Sequence, residues 1–141
     1  MDESELKILA AKLDKNGSFV LLKRYYYKYG IKLIHKKTRF QECIFIDSKD
    51  LSYLEELAKL EEQRVVKINN NKFRVRFMSK KAISLAYKVL PFLTEKKREA
   101  ELLLEFSKLK RNGGYRLTDD LQLKREELYN ELKKEKARKR S

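Results

Sequence analysis

The residues that could do chemistry in this sequence are cations, and their spacing aims them at phosphate. In the stretch KFRVRFM, Lys72, Arg74 and Arg76 alternate with Phe73, Val75 and Phe77. A period of two belongs to a strand, so the three cations share one face and the apolar side chains the other. Like charges with no acid between them repel unless an anion neutralises them, so a phosphate-contacting face fits better than a solvated one. The end of the chain repeats the theme, with Lys133, Lys134, Lys136, Arg138, Lys139 and Arg140 set against the single acid Glu135. Such a run is ordinarily a disordered tail, and a phosphate backbone is what would hold it in place. A further basic cluster, Lys32, Lys36, Lys37 and Arg39, follows the tyrosine-rich stretch from Arg24 to Lys28. Other chemistries have no footing. His35 and Cys43 are each the sole residue of their type, with no partner at metal-ligand spacing, so they read as a surface imidazole and a half-buried strand thiol. The four glycines are scattered, and no phosphate-cradling loop is present.

Composition agrees with the cations. A chain of 141 residues can bury a single core without disulfides or metal. Charged residues make up 40% of it and the net charge is +14. That excess implies a polyanion, nucleic acid first and an anionic membrane surface second. No apolar run approaches the roughly 20 residues of a membrane span, and the acidic Met1 to Glu5 has the character of neither a signal nor a transit peptide. The protein is therefore expected to act where it is made. An organelle, mitochondrion or chloroplast, with an organellar gene is the setting that the abundance of Lys, Asn, Ile and Tyr suits; otherwise the cytoplasm.

The elements that must position these residues follow from periodicity. Leu6, Leu9 and Leu13 recur at helical spacing, predicting a helix over Ser4 to Asp14 with Ser4 as cap and Gly17 in the left-handed turn that closes it. Ser18 to Tyr29 reads as a strand, Gly30 as a turn, and Ile31 to Ile46 as a second, interrupted strand. Leu51, Leu54, Leu57, Ala58 and Leu60 mark a helix whose outer face is acidic through Glu55, Glu56, Glu61 and Glu62. Val65 to Ile68 and Phe73 to Met78 form a hairpin around Asn69, Asn70 and Asn71, residues that tolerate the positive φ of a tight turn. Ser79 caps a third helix with Ile83, Leu85, Ala86, Val89 and Leu90 inward, and Pro91 breaks it. Thr94 restarts a helix that ends at Asn112 and Gly113, and Thr118 caps a last one, with Asp119 and Asp120 in its first turn and Leu121, Leu128 and Leu132 along it. The order is αββαββα followed by helices, an α+β fold with no internal repeat. It divides into a domain over 1–112 and a C-terminal helix with basic tail over 113–141.

The stretch LAAKLDKNG at 9–17 resembles the defining motif of the LAGLIDADG homing endonucleases. Leu9, Ala10, Asp14 and Gly17 match it and Leu13 keeps its apolar character, while Ala11, Lys12 and Lys15 depart from it. The position matching the catalytic carboxylate is Asn16. A second stretch, 90–106, looks like the segment in which a proline-broken helix carries a basic residue into the active site; Lys96 matches that residue, with Lys97 beside it. The sequence LTDDLQLKREELYNELKK at 117–134 resembles the tails of single-motif members. The resemblance implies the αββαββα fold with added C-terminal helices, motif helices packed about a two-fold axis, and acidic tips holding divalent metal over a scissile phosphate. It also implies that Ser18, Val20, Leu22, Arg24, Tyr26 and Lys28 face a nucleic-acid groove.

The departures alter the expected chemistry. Hydrolysis in this family needs carboxylates from two tips to hold the ions that activate water. Asn16 offers a neutral carbonyl, and hard cations are held chiefly by charged oxygens. Lys15 adds a positive charge one residue away, and Asp14 is readily explained by hydrogen bonding at a helix end. Val20 and Leu22 cannot hydrogen-bond base edges, which leaves a basic, tyrosine-rich saddle suited to backbone contacts and stacking, the manner in which structured RNA is held. The expectation is a nucleic-acid-binding protein of LAGLIDADG descent that has lost cleavage, with no catalytic residue, metal or cofactor. RNA stands ahead of DNA: ribosomal RNA of an organellar ribosome, or a group I intron served by a maturase, alongside other proteins of the ribonucleoprotein. Its binding residues would be Arg24, Tyr26, Lys28, Lys36, Lys37, Arg39, Lys72, Arg74, Arg76, Lys96 and Lys97, together with the tail Lys133, Lys134, Lys136, Arg138, Lys139 and Arg140. The alternative is a homodimeric site-specific DNA endonuclease, active with Mg²⁺ or trapped by a substitution at Asn16. Ala10 and Ala11 permit two motif helices to approach, but Lys12 and Lys15 would bring like charges to the seam, so a monomer is expected.

Overall fold

The computed structural model describes residues 1–29, 34–109 and 119–140, with side chains for all of these except 24–29, 34–39, 119, 139 and 140. Helix α1 spans Glu3–Asn16 and buries Leu9, Ala10 and Leu13. Its cap is Asp2 and not Ser4: the Asp2 carboxylate accepts the Glu5 N–H at 2.8 Å, and a negative charge also suits the helix N-terminus. The helix runs past Asp14 to Asn16, and Gly17 opens strand β1, Gly17–Tyr29. Gly17 has φ −98° and ψ 168°, an extended conformation open to any residue, so the expected left-handed turn is absent. Glycine is needed for space. A Cβ here would lie 2.5 Å from Leu13 Cδ2 and 2.7 Å from Leu13 Cα.

Strand β2, Ile34–Ser48, is continuous, and it extends two residues beyond the expected end because Asp47 and Ser48 pair with Arg74 and Phe73. Helix α2, Leu51–Leu60, is capped by Asp50, which accepts the Tyr53 N–H at 3.1 Å. Strands β3, Val65–Asn69, and β4, Lys72–Met78, form the expected hairpin. Its asparagines work differently from expectation. Asn69 Oδ1 accepts the Asn71 N–H at 2.9 Å, and among the described residues the only positive φ outside glycine belongs to Glu62 and Ser79. A side-chain hydrogen bond closes the turn where a left-handed backbone was expected.

Ser79 stands at the N-terminus of α3, Lys80–Val89, but makes no cap hydrogen bond with its side chain. Its hydroxyl accepts from Gln41 Nε2 at 2.9 Å. Pro91 ends the helix in a single 3₁₀ turn over Leu90–Phe92. Helix α4, Lys97–Lys108, begins three residues after Thr94, and α5 runs over Asp119–Arg140. The expected turn at Gly30, the helix end at Asn112 and Gly113, and the Thr118 cap lie outside the described residues.

The four strands form one antiparallel sheet in the order β1-β2-β4-β3. Burial alternates along them. Phe19 and Leu21 of β1, Phe40, Ile44 and Ile46 of β2, and Val75 and Phe77 of β4 join the buried residues of the helices in one core. The helices therefore pack on one face of the sheet, and the alternate residues form the other face. Cys43 belongs to that second face yet is fully buried, not half-buried. It is paired directly with Val20 and Met78, and opposed side chains on a sheet are close enough to cover a small thiol.

The basic end of the chain is helical because α5 is anchored. Leu132 is fully buried, which contributes about 2 kcal/mol. Phe40 meets Phe106 edge-on at 5.5 Å and Tyr129 at 5.1 Å. The buried Arg125 guanidinium lies 4.8 Å from the centre of the Phe106 ring, and Lys23 of β1 pairs with Glu126 at 3.5 Å. The run expected to be a disordered tail is thus the last turns of a helix docked on α4 and β1.

Candidate nucleic-acid interface

The tip of α1 is where the expected active-site residues meet. Asp14 Oδ2 accepts the backbone N–H and the hydroxyl of Thr94, each at 3.0 Å, and Oδ1 accepts the Lys96 N–H at 3.0 Å. The carboxylate thereby holds the turn that leads into α4. Pro91 has ended the preceding helix, and the backbone N–H groups of Thr94 and Lys96, in the connection to α4, find their acceptor in this carboxylate. The Lys96 ammonium reaches back to the Gly17 carbonyl. Asn16 is exposed at the last position of α1 and Lys15 is exposed beside it. Lys97 is exposed in the first turn of α4.

A pocket of about 270 Å³ opens at this tip, lined by Asp14, Lys15, Ser18, Glu95, Lys96, Glu99 and Lys136. Two of its residues change the sequence reading. Glu99 is 3% exposed, a buried acid that sequence reasoning missed; the signal was its place one turn before Leu102 and Leu103 on the inward face of α4. Lys136, expected in a tail, is brought by α5 to the motif tip. The donor set does not fit a divalent cation. The oxygens of Asp14 already accept three hydrogen bonds, Asn16 is neutral, and the acids lining the pocket are matched by Lys15, Lys96 and Lys136, whose charge repels a metal ion. Among the described residues no three His, Cys, Asp or Glu side chains come together as metal ligands.

The sheet face away from the helices carries the cationic strand. Lys72 and Arg76 are exposed. Arg74 is not a free cation: its Nε and Nη2 donate to the two Asp47 oxygens at 2.7 and 2.9 Å, and this hydrogen bonding raises the guanidinium pKa above its ordinary value. The acid that the strand lacked in sequence arrives from β2. Both guanidiniums also lie by the Phe45 ring, Arg74 at 4.6 Å and Arg76 at 5.6 Å from its centre. Val20 and Leu22 continue this face on β1, half-buried. Strand pairing sets Arg24 opposite Arg39, Tyr26 opposite Lys37 and Lys28 opposite His35; the side chains of Arg24, Tyr26, Lys28, Lys36, Lys37 and Arg39 lie outside the described residues. On α5, Lys133, Lys134 and Arg138 are exposed. Lys133 lies 5.0 Å from the Tyr129 ring centre and Arg138 pairs with Glu135 at 2.6 Å. The side chains of Lys139 and Arg140 are not among those described.

This arrangement of helices on a four-strand antiparallel sheet superposes on solved structures. The homing endonuclease I-CvuI, in complex with a DNA target, superposes with a TM-score of 0.77 at 16% identity, covering 94% of this chain and 82% of that one. The chain has the LAGLIDADG homing endonuclease fold. An archaeal intron-encoded homing endonuclease complexed with DNA gives a TM-score of 0.71 at 19% identity over 96% of this chain and 86% of that one. The homing endonuclease I-TnaI gives 0.64 at 18% identity over 94% and 96%. No family model matches the sequence, and no curated protein matches it. In this LAGLIDADG fold the motif at 9–17 forms the second half of α1 and the first residue of β1, and the stretch at 90–106 forms the 3₁₀ turn at Pro91, the connection that Asp14 holds and most of α4. The added C-terminal helix lies against the body of the fold.

Proposed function

We propose that the protein binds nucleic acid through the sheet face opposite its helices and does not cleave it. The observation that carries this reading is the state of the α1 tip. A carboxylate that accepts three hydrogen bonds from Thr94 and Lys96 serves as a structural acceptor, and the neighbouring Asn16 supplies no charge for a hard cation. Binding is supported by the net charge of +14, by the exposed Lys72 and Arg76, and by a fold whose solved examples include complexes with DNA. Structured RNA is the preferred partner in this reading, because the aliphatic Val20 and Leu22 cannot read base edges in a groove.

The test is retention of RNA and duplex DNA by the purified protein over a salt series, with a cleavage assay in Mg²⁺ and Mn²⁺ alongside. Log affinity should fall steeply with log salt, by about 0.7 to 0.9 in slope for each phosphate neutralised, and no strand should be cut. Cleavage at a defined site, or affinity indifferent to salt, overturns the proposal.

A second reading, a homodimer bound to duplex DNA, is favoured by the outer face of α1. Ile8 is 52% exposed there, Ala11 is exposed one turn on, and the Lys12 ammonium lies 4.2 Å from the Tyr53 ring centre. One of the two charges expected to oppose a dimer is thereby held on α2 of its own chain, while Ala10 is buried in the core. Sedimentation at micromolar concentration separates the readings: a stable two-chain species favours the second.

A further inference from the structure

The sheet face beyond β2 holds a cluster of flat groups that phosphate binding does not explain. Register places Phe45 opposite Arg76 and Asp47 opposite Arg74. The two-point hydrogen bond to Asp47 fixes the plane of the Arg74 guanidinium and neutralises its charge. A neutralised arginine adds little to the hold on a backbone. What it retains is a rigid planar surface, 4.6 Å from the Phe45 ring centre, with the exposed Arg76 guanidinium 5.6 Å from the same ring. Around this cluster the face mixes aliphatic and polar side chains, with Ser18 directly opposite Phe45 on β1. Val66, directly opposite Arg74, is 47% exposed, and Val20 and Leu22 follow on β1. Gln41 of β2 gives an amide N–H to Ser79.

Paired bases present edges, and edges need hydrogen-bonding partners. The aliphatic side chains give a base edge no hydrogen-bonding partner, whereas guanidinium planes and aromatic rings accept the face of a base. Within a duplex stacking covers the face of every internal pair, and folded RNA displays unpaired, accessible bases in loops and bulges. We propose that Phe45, Arg74 and Arg76 form a stacking site for an unpaired nucleobase of a folded RNA. Arg76 supplies the outer plane and, with Lys72, the positive charge for the flanking phosphates. This rests on the nucleic-acid-binding reading above and adds the structural class of the ligand.

The test compares three probes: an RNA hairpin carrying 2-aminopurine in its loop, the blunt RNA duplex of the same stem, and a DNA duplex of equal length. Stacking of one base corresponds to roughly tenfold in affinity, so the hairpin should bind about tenfold more tightly than the blunt duplex. Its fluorophore should be quenched on binding. Arg76→Lys keeps the charge and removes the plane; it should lower the hairpin's affinity several-fold more than that of either duplex, so that the hairpin's advantage is lost. Phe45→Leu, checked for unaltered circular dichroism, should do the same. Equal binding of hairpin and blunt duplex by the unaltered protein, or an Arg76→Lys variant that keeps the hairpin's advantage, overturns the stacking site and leaves nucleic-acid binding standing. Failure to bind any probe overturns both.

Discussion

Asp14 and Asn16 stand two residues apart at the α1 tip, and their replacement should have unequal weight. In Asp14→Asn the side chain keeps its shape but one oxygen becomes an amide nitrogen. The remaining oxygen can serve the two Thr94 donors or the Lys96 N–H, now split between Oδ2 and Oδ1. The nitrogen then faces a donor. Hydrogen bonds to a charged acceptor contribute about 1.5 to 3 kcal/mol each, and partial exposure at this site brings that down to about 1. Loss of at least one bond with an opposed donor should therefore cost about 2 kcal/mol, which for a chain of this size lowers Tm by about 6 °C. Asn16→Asp adds a carboxylate at an exposed helix C-terminus, an arrangement costing about 0.5 kcal/mol and under about 2 °C. Calorimetry of both variants reads the difference directly, and Thr94→Val in a double-mutant cycle with Asp14→Asn isolates the hydroxyl's share. If Asp14→Asn melts at the same temperature as the unaltered protein, or higher, the carboxylate is not a structural acceptor and the case against cleavage loses its basis.

Two further outcomes follow from the same geometry. Gly17→Ala would put a methyl group 2.7 Å from Leu13 Cα and 2.8 Å from its carbonyl oxygen, backbone atoms that cannot step aside, so a loss of about 2 to 3 kcal/mol in urea unfolding is expected. Tyr53 should make the fold sensitive to alkali, since burial pushes its hydroxyl from 10.0 up to about 12. The folded chain keeps this proton where the unfolded chain releases it, so the contribution is complete below pH 10 and is lost as pH rises towards 12. Tyr53→Phe should flatten the fall in stability across that interval, and the urea midpoint of each protein at several alkaline pH values measures it.

What the sequence determined by itself was whatever depends on local periodicity and on residues near in the chain. The leucines of α1, the alternation of β4, the apolar spacing of α2 and the stop at Pro91 carried the αββαββα order. The LAAKLDKNG and LPFLTEKK stretches were enough to suggest the fold that the structure has. Tertiary contact decided the rest, because the deciding partners lie far apart in sequence. Asp14 is some 80 positions from Thr94, and their hydrogen bonds make a structural acceptor of a residue that motif matching alone leaves open. Arg74 looked unneutralised because Asp47 belongs to another strand. Lys136 gave no sign that it shares a pocket with the motif tip and with Glu99 of α4, since only the docking of α5 through Phe40, Arg125 and Leu132 brings it there. A charge in the sequence is visible; whether it remains available to a ligand is settled by which other charge the fold sets beside it.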